Sequence, residues 1–120
     1  SFTPLQSRHF TFGDHSLVIK CRQPPQEEEL PPTLMQADIL PTQLTVTDTV
    51  GWDVWDGATT AMCDKLVKNP EIIKGKDVLE LGAGVGVVGI LAGILGARRV
   101  IISDYDEGAL AIAETNLKLN

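Results

Sequence analysis

The sequence has only two cysteines, Cys21 and Cys63, in 120 residues. They are too few and too far apart for a disulfide scaffold or a zinc motif, so reduced thiols in an intracellular protein are the default expectation. Positive charge is also scarce: 16 acids face 10 bases, giving a formal charge of −6. No basic stripe exists, which disfavours nucleic acid as an electrostatic partner. The chain opens at Ser1 rather than Met, without a leading apolar segment of signal-peptide form, and export gains no support. A hydrophobic run of membrane length is missing too. The uncharged stretch Leu81 to Ala97 has 17 residues and its first third is glycine turn; a membrane span needs about 20 apolar residues.

What is present is ordinary globular composition, 43% hydrophobic and 22% charged, and a length that suits one domain. The charge is uneven. Residues 1–60 hold 8 acids and 3 bases, residues 61–120 hold 8 acids and 7 bases. Residues 8–22 read as a β-hairpin: Phe10 and Phe12 alternate with Thr11, Gly13-Asp14 supplies a turn, and Leu17 and Ile19 follow, with Val18 loosening the alternation. Residues 23–33 carry four prolines and three consecutive glutamates, a solvated loop. Residues 44–50 are β-branched and alternating, hence a short strand. Asp56 then reads as the N-cap of a helix with Ala58, Ala61, Met62 and Leu66 on its core face and Pro70 beyond its end.

The second half changes character. Val78, Leu79 and Leu81 read as a buried strand, followed by crowded glycines and an apolar helix from Val87 to Leu95. Val100 to Ile102 form another buried strand ending at Ser103-Asp104, and a last helix runs from Asp106 to Leu119 with Leu110, Ala113 and Leu117 on one face. Two apolar strands linked by a helix imply a parallel pair with a right-handed crossover. Gly89 and Gly93 let the linking helix lie close against the sheet.

The chemistry sits in LELGAGVGVVG, residues 79–89. Glycines at 82, 84 and 86 permit a tight turn at the carboxyl edge of the sheet and remove Cβ atoms that would block a ligand. The helix behind offers free N–H groups and a positive dipole end. Asp104, 18 residues after Gly86, ends the next strand, where its carboxylate could accept bonds from a ribose diol. Followed by Glu107, it also fits a helix-capping pattern. Gly84-x-Gly86-x-x-Gly89 formally satisfies the dinucleotide fingerprint of NAD sites. Glu80 argues against it, since a carboxylate sits badly beside a doubly anionic pyrophosphate. It suits S-adenosylmethionine, which carries a sulfonium and an ammonium and no phosphate. Trp52 and Trp55 fit core or interface positions more readily than a ligand site.

Together these residues resemble class I (seven-β-strand) S-adenosylmethionine-dependent methyltransferases. VWDGA at 54–58, LELGAGVGVVGILAGILGA at 79–97, ISD at 102–104, the closing NLKLN and the hairpin FTFGDHSLVIK are similar to the protein-lysine methyltransferase-like branch, methyltransferase family 16. The resemblance implies an α/β fold: the N-terminal part of a Rossmann-like seven-stranded methyltransferase sheet, preceded by a β-hairpin. It implies a hairpin and acidic proline-rich loop over 1–40 and an S-adenosylmethionine-binding half-domain over 41–120. By the same resemblance Trp55 packs beside the cofactor, Gly82, Ala83 and Gly84 line its methionine and ribose side, Gly86 belongs to the same cofactor-binding set, and Asp104 binds the ribose hydroxyls. Glu80 acts on the methionine end, directly or through water. Trp52 has no counterpart in the family pattern.

The family's acid-x-x-aromatic motif after a fourth strand has no match in these residues, so the chain reads as cut after its second βα unit. The implied activity is methylation of a lysine on a protein substrate, in the cytoplasm with the nucleus as a second compartment, with no nucleic-acid or membrane partner and no metal. No catalytic residue is assigned, and residues 1–120 alone are expected to show weak or absent catalysis. Two alternatives stay open: a non-catalytic truncated isoform or pseudoenzyme acting as a binding module, and a small-molecule methyltransferase.

Overall fold

The computed structural model describes residues 4–22 and 52–120. The expected proline-rich loop at 23–33, the strand at 44–50 and the boundary near residue 40 lie outside the described residues.

Strands β1 (Gln6–Phe12) and β2 (His15–Cys21) pair antiparallel, with Phe12 opposite His15 and Gln6 opposite Cys21. Gly13 opens their two-residue turn with φ +59°, a left-handed conformation that glycine alone adopts without strain. A Cβ at Gly13 would stand 2.6 Å from Val67 Cγ1, so the turn packs on helix α1 (Asp56–Lys68). The inward face of the hairpin buries Phe12, Leu17, Ile19 and Cys21. Strand alternation turns Val18 to the other side, where it is half-exposed.

After a 3₁₀ turn at Pro70–Ile72, strand β3 (Asp77–Glu80), helix α2 (Val87–Ile94) and strand β4 (Arg99–Ile102) form a βαβ unit, completed by helix α3 (Glu107–Leu119). β3 and β4 are parallel, in register from Asp77 opposite Arg99 to Glu80 opposite Ile102. One apolar cluster joins the hairpin to the βαβ unit: Phe12, Leu17, Ile19 and Cys21 pack with Val54, Cys63, Val85, Val87, Ile90, Leu91 and Ile112. The hairpin is therefore part of the core.

Three expectations need correction. Trp55, not Asp56, is the N-cap of α1, without a side-chain cap bond. The Asp56 carboxylate instead accepts from Arg8 Nη2 at 2.6 Å, an attraction reaching across to β1. The face of α1 expected to be core is largely open: Met62 is 48% exposed, and Cys63 and Leu66 are the buried pair. Among the described residues, strands β3 and β4 are covered on one face only. α2 packs on that face, while Leu79 and Ile101 on the other are 60% and 47% exposed; an apolar run does not reveal which face has a partner. Helix α3 carries Leu110, Ala113 and Leu117 along one face as expected; it buries Ala109, Ile112, Ala113 and Asn116, and Leu117 is 57% exposed. Counting apolar residues passes over Asn116, whose side-chain amide is drawn inward by backbone partners.

Candidate cofactor-binding site

The turn between β3 and α2 takes left-handed backbone at Gly82, Gly84 and Gly86, with φ of +63°, +58° and +91°. Two backbone bonds tie it to the end of β4, Ser103 N–H donating to Glu80 O at 2.9 Å and Ala83 N–H to Ser103 O at 2.9 Å, and a third, Gly86 N–H to Ala83 O at 3.1 Å, closes the turn. A Cβ at Gly82 would meet no atom of the described residues within 4 Å, so its bare backbone is open to a ligand on that side. Gly86 points elsewhere. A Cβ there would stand 3.2 Å from the Ala113 side chain, so its smallness serves the packing of α3 against the turn, and it does not line the cleft described below.

Asp104 sits at the mouth of the turn. Its Oδ2 accepts from Gly84 N–H at 2.8 Å and its Oδ1 from Asp106 N–H at 2.9 Å. A carboxylate has about four lone-pair positions, so acceptor capacity remains on both oxygens. Asp104 does not cap α3. That position belongs to Asp106, whose Oδ1 accepts from Gly108 N–H at 2.9 Å.

Glu80 turns under the sheet edge, where its Oε1 accepts from Gly89 N–H at 2.9 Å. Gly89 is the third residue of α2, so this carboxylate occupies the helix N-terminus that would otherwise receive a phosphate. Burial pushes the Glu80 carboxyl above its usual range, and the Gly89 bond offsets part of that shift. Room for the contact depends on the missing side chain: a Cβ at Gly89 would lie 2.9 Å from Glu80 Oε1 and 2.7 Å from Ile102 Cγ1. At Gly93 the nearest atom would be Val100 Cγ2 at 3.9 Å, an ordinary contact.

These groups border a cleft of about 650 Å³, within the roughly 300–1,000 Å³ of small-molecule sites. Trp55, 64% exposed, stands in its wall with Glu80, Gly82, Ala83, Gly84 and Asp104. Six of the seven residues singled out in the sequence thus come together, Gly86 being the exception. The face of α1 that the sequence suggested as core (Ala58, Met62, Leu66) forms the apolar side. Among the described residues, the charged ones of the lining are Asp53, Glu80 and Asp104, with no lysine or arginine. A site with acids and no base is repulsive to pyrophosphate and receptive to a cation.

Three residues emerge that the sequence reading left without a role. Trp52 is half-buried against the core, and its Nε1–H donates to Asp106 Oδ2 at 2.6 Å while the Arg22 guanidinium lies 5.1 Å from its ring centroid. Asp106 joins this indole to the Asp104 loop. Asn116 bonds Val85 in the glycine turn; the repeat of asparagine four residues on, at 120, is the only sequence signal of it. Cys21 and Cys63 are buried, with burial pushing their thiols up to about 11 and about 12, so neither supplies a thiolate at neutral pH. Among the described residues no helix is long and apolar enough to cross a membrane.

The lysine methyltransferase family matches residues 35–120. Relatives include the electron transfer flavoprotein beta subunit lysine methyltransferase of Homo sapiens, 35% identical over 69 residues, which are 58% of this chain and 26% of that protein. The protein N-terminal and lysine N-methyltransferase EFM7 of Cryptococcus neoformans is 38% identical over 71 residues, 58% of this chain and 23% of that protein. The ribosomal protein L11 methyltransferase of Macrococcus caseolyticus is 38% identical over 65 residues, 54% of this chain and 21% of its own length. The chain thus spans about a quarter of the length of the relatives it matches. Its parallel strands, glycine turn and flanking helices are part of a Rossmann-like methyltransferase fold. With the family match extending over more than half of its residues, the chain belongs to the lysine methyltransferase family, methyltransferase family 16.

Proposed function

We propose that this chain supplies the S-adenosylmethionine-binding part of a methyltransferase acting on a lysine of a protein substrate. The observation that carries the reading is the cleft lined, among the described residues, by three carboxylates and no base, with Glu80 in the place a phosphate would take. Membership of the family supports the methyl donor, and the relatives named above act, by their names, on proteins.

Each residue then has a definite task. Gly82, Ala83 and Gly84 let the ligand approach the main chain. The free lone pairs of Asp104 accept the ribose hydroxyls. Glu80 favours the cationic methionine end by charge, directly or through water, while staying bonded to Gly89. Trp55 shields one wall. When bound, the cofactor would supply an electrophilic methyl carbon for the amine nitrogen, its thioether leaving with the electron pair of the carbon–sulfur bond. The protein's contribution is alignment and exclusion of water, together with acids that hold the lysine amine as its proton leaves to solvent.

The test is transfer of isotopically labelled methyl from S-adenosylmethionine by the full-length protein to hypomethylated cellular protein, followed by hydrolysis and identification of the labelled amino acid. Label in methyl-lysine supports the reading. Label confined to another residue, or to small molecules, overturns the substrate assignment.

A further inference from the structure

We propose that Asn116 is a positioning residue for the glycine turn, coupling the cofactor site to the seating of the N-terminal hairpin. The inference rests on the cofactor reading above. Asn116 is fully buried, the one polar residue in the buried set among the described residues. Its Oδ1 accepts from Lys20 N–H at 2.6 Å, and its Nδ2 donates to Lys20 O at 2.9 Å and to Val85 O at 2.9 Å. Lys20 is on the outer edge of β2. Val85 lies between the two left-handed glycines Gly84 and Gly86.

The turn is therefore pinned from two directions. Asp104 holds the Gly84 N–H on the ligand side; Asn116 holds the next residue's carbonyl on the core side. Glycine backbone has the widest conformational freedom of any residue, so a turn built on it needs outside partners to keep one geometry. Only an amide meets the requirement here. Lys20 N–H needs an acceptor, while Lys20 O and Val85 O both need donors, and Asn is the short side chain that offers one oxygen and two N–H groups. Loss of those donors would leave buried carbonyls unpaired, and a turn that samples other shapes binds more weakly by the fraction of time it spends in them.

Asn120 provides the internal control. Its Oδ1 accepts from Val18 N–H at 3.0 Å and its Nδ2 donates to Val18 O at 2.8 Å. The two amides, four residues apart on α3, thus cover the free edge of β2 much as a neighbouring strand would. The second Nδ2 hydrogen of Asn120 goes to Asn116 O at 2.8 Å, not to the glycine turn. Both side chains clasp the hairpin, and Asn116 alone also clasps the turn.

The experiment compares Asn116→Asp and Asn120→Asp in the full-length protein, titrated calorimetrically with S-adenosylhomocysteine. Each change keeps size and shape while removing the N–H donors. Asn116→Asp should weaken binding about tenfold or more, whereas Asn120→Asp should stay within about threefold of the wild type. Equal losses in the two variants, or unchanged affinity in Asn116→Asp, overturn the proposal. If Asn116→Asp does not fold, amide hydrogen exchange on the wild type decides. Because coupling is reciprocal, S-adenosylhomocysteine should slow exchange at Lys20 N–H several-fold more than at Val18 N–H, and an unresponsive Lys20 overturns the proposal. A wild-type protein that does not bind S-adenosylhomocysteine fails the cofactor reading itself, and this inference falls with it.

Discussion

Glu80 carries an unusual load for one acid: it closes the N-terminus of α2 through Gly89 and sets the sign of the cleft. Because burial raises its carboxyl above the usual value, the folded chain holds its proton more tightly than the unfolded chain does. The stability linked to this group is fully present below the unfolded value and is lost as pH rises through the raised one. Glu80→Gln retains an oxygen for the Gly89 N–H and removes the buried charge. Its Tm at neutral pH should equal or exceed that of the wild type, the difference shrinking in acid, while affinity for the cationic cofactor drops. A Tm clearly below the wild type at neutral pH would show that the charge itself stabilises α2. Asp104 gives the complementary case. Asp104→Ala removes the acceptor for two loop N–H groups and, on our reading, for the ribose. Hydrogen bonds to charged groups contribute about 1.5–3 kcal/mol each, so calorimetry should show nucleoside binding weakened by at least that amount; unchanged affinity would leave Asp104 a loop-holding residue alone.

At the scale of elements, α2 against the β3–β4 pair is the decisive contact, and its two glycines separate cleanly. Gly89→Ala would drive a Cβ to 2.7 Å from Ile102 Cγ1, an overpacking that costs about 1–3 kcal/mol and also displaces Glu80. Gly93→Ala meets only Val100 at 3.9 Å and should stabilise α2 by up to about 1 kcal/mol through helix propensity. Thermal denaturation of the two variants checks both signs; equal destabilisation would mean that both glycines are packing positions. The contrast also shows what the sequence makes legible. The βαβ unit and the hairpin are local signals, apolar runs punctuated by glycine, and they read correctly. Pairings across long separations do not: Arg8 with Asp56, Trp52 with Asp106, and Asn116 with Lys20 join residues about 50 to 100 positions apart and leave no periodicity. The exposed face of Leu79 and Ile101 fails for a related reason, since strand hydrophobicity does not say what covers it. Most of the cleft was legible because glycine, acid and tryptophan are each required by type at one place.

For the molecule as a whole, the hairpin and the βαβ unit share one core, and the cleft opens between α1 and the glycine turn. The seating of the hairpin, through Asn116, and the geometry of the turn are therefore a single mechanical unit. The described lining of the cleft is acidic, and on our reading that charge favours a methyl donor with two cationic groups over a dinucleotide with a pyrophosphate. The most direct test is a calorimetric titration of the full-length protein with S-adenosylhomocysteine and, separately, with NAD. Saturable, one-to-one binding of S-adenosylhomocysteine with no heat from NAD is the expected result. NAD binding as tightly as S-adenosylhomocysteine, or binding alone, would contradict the account.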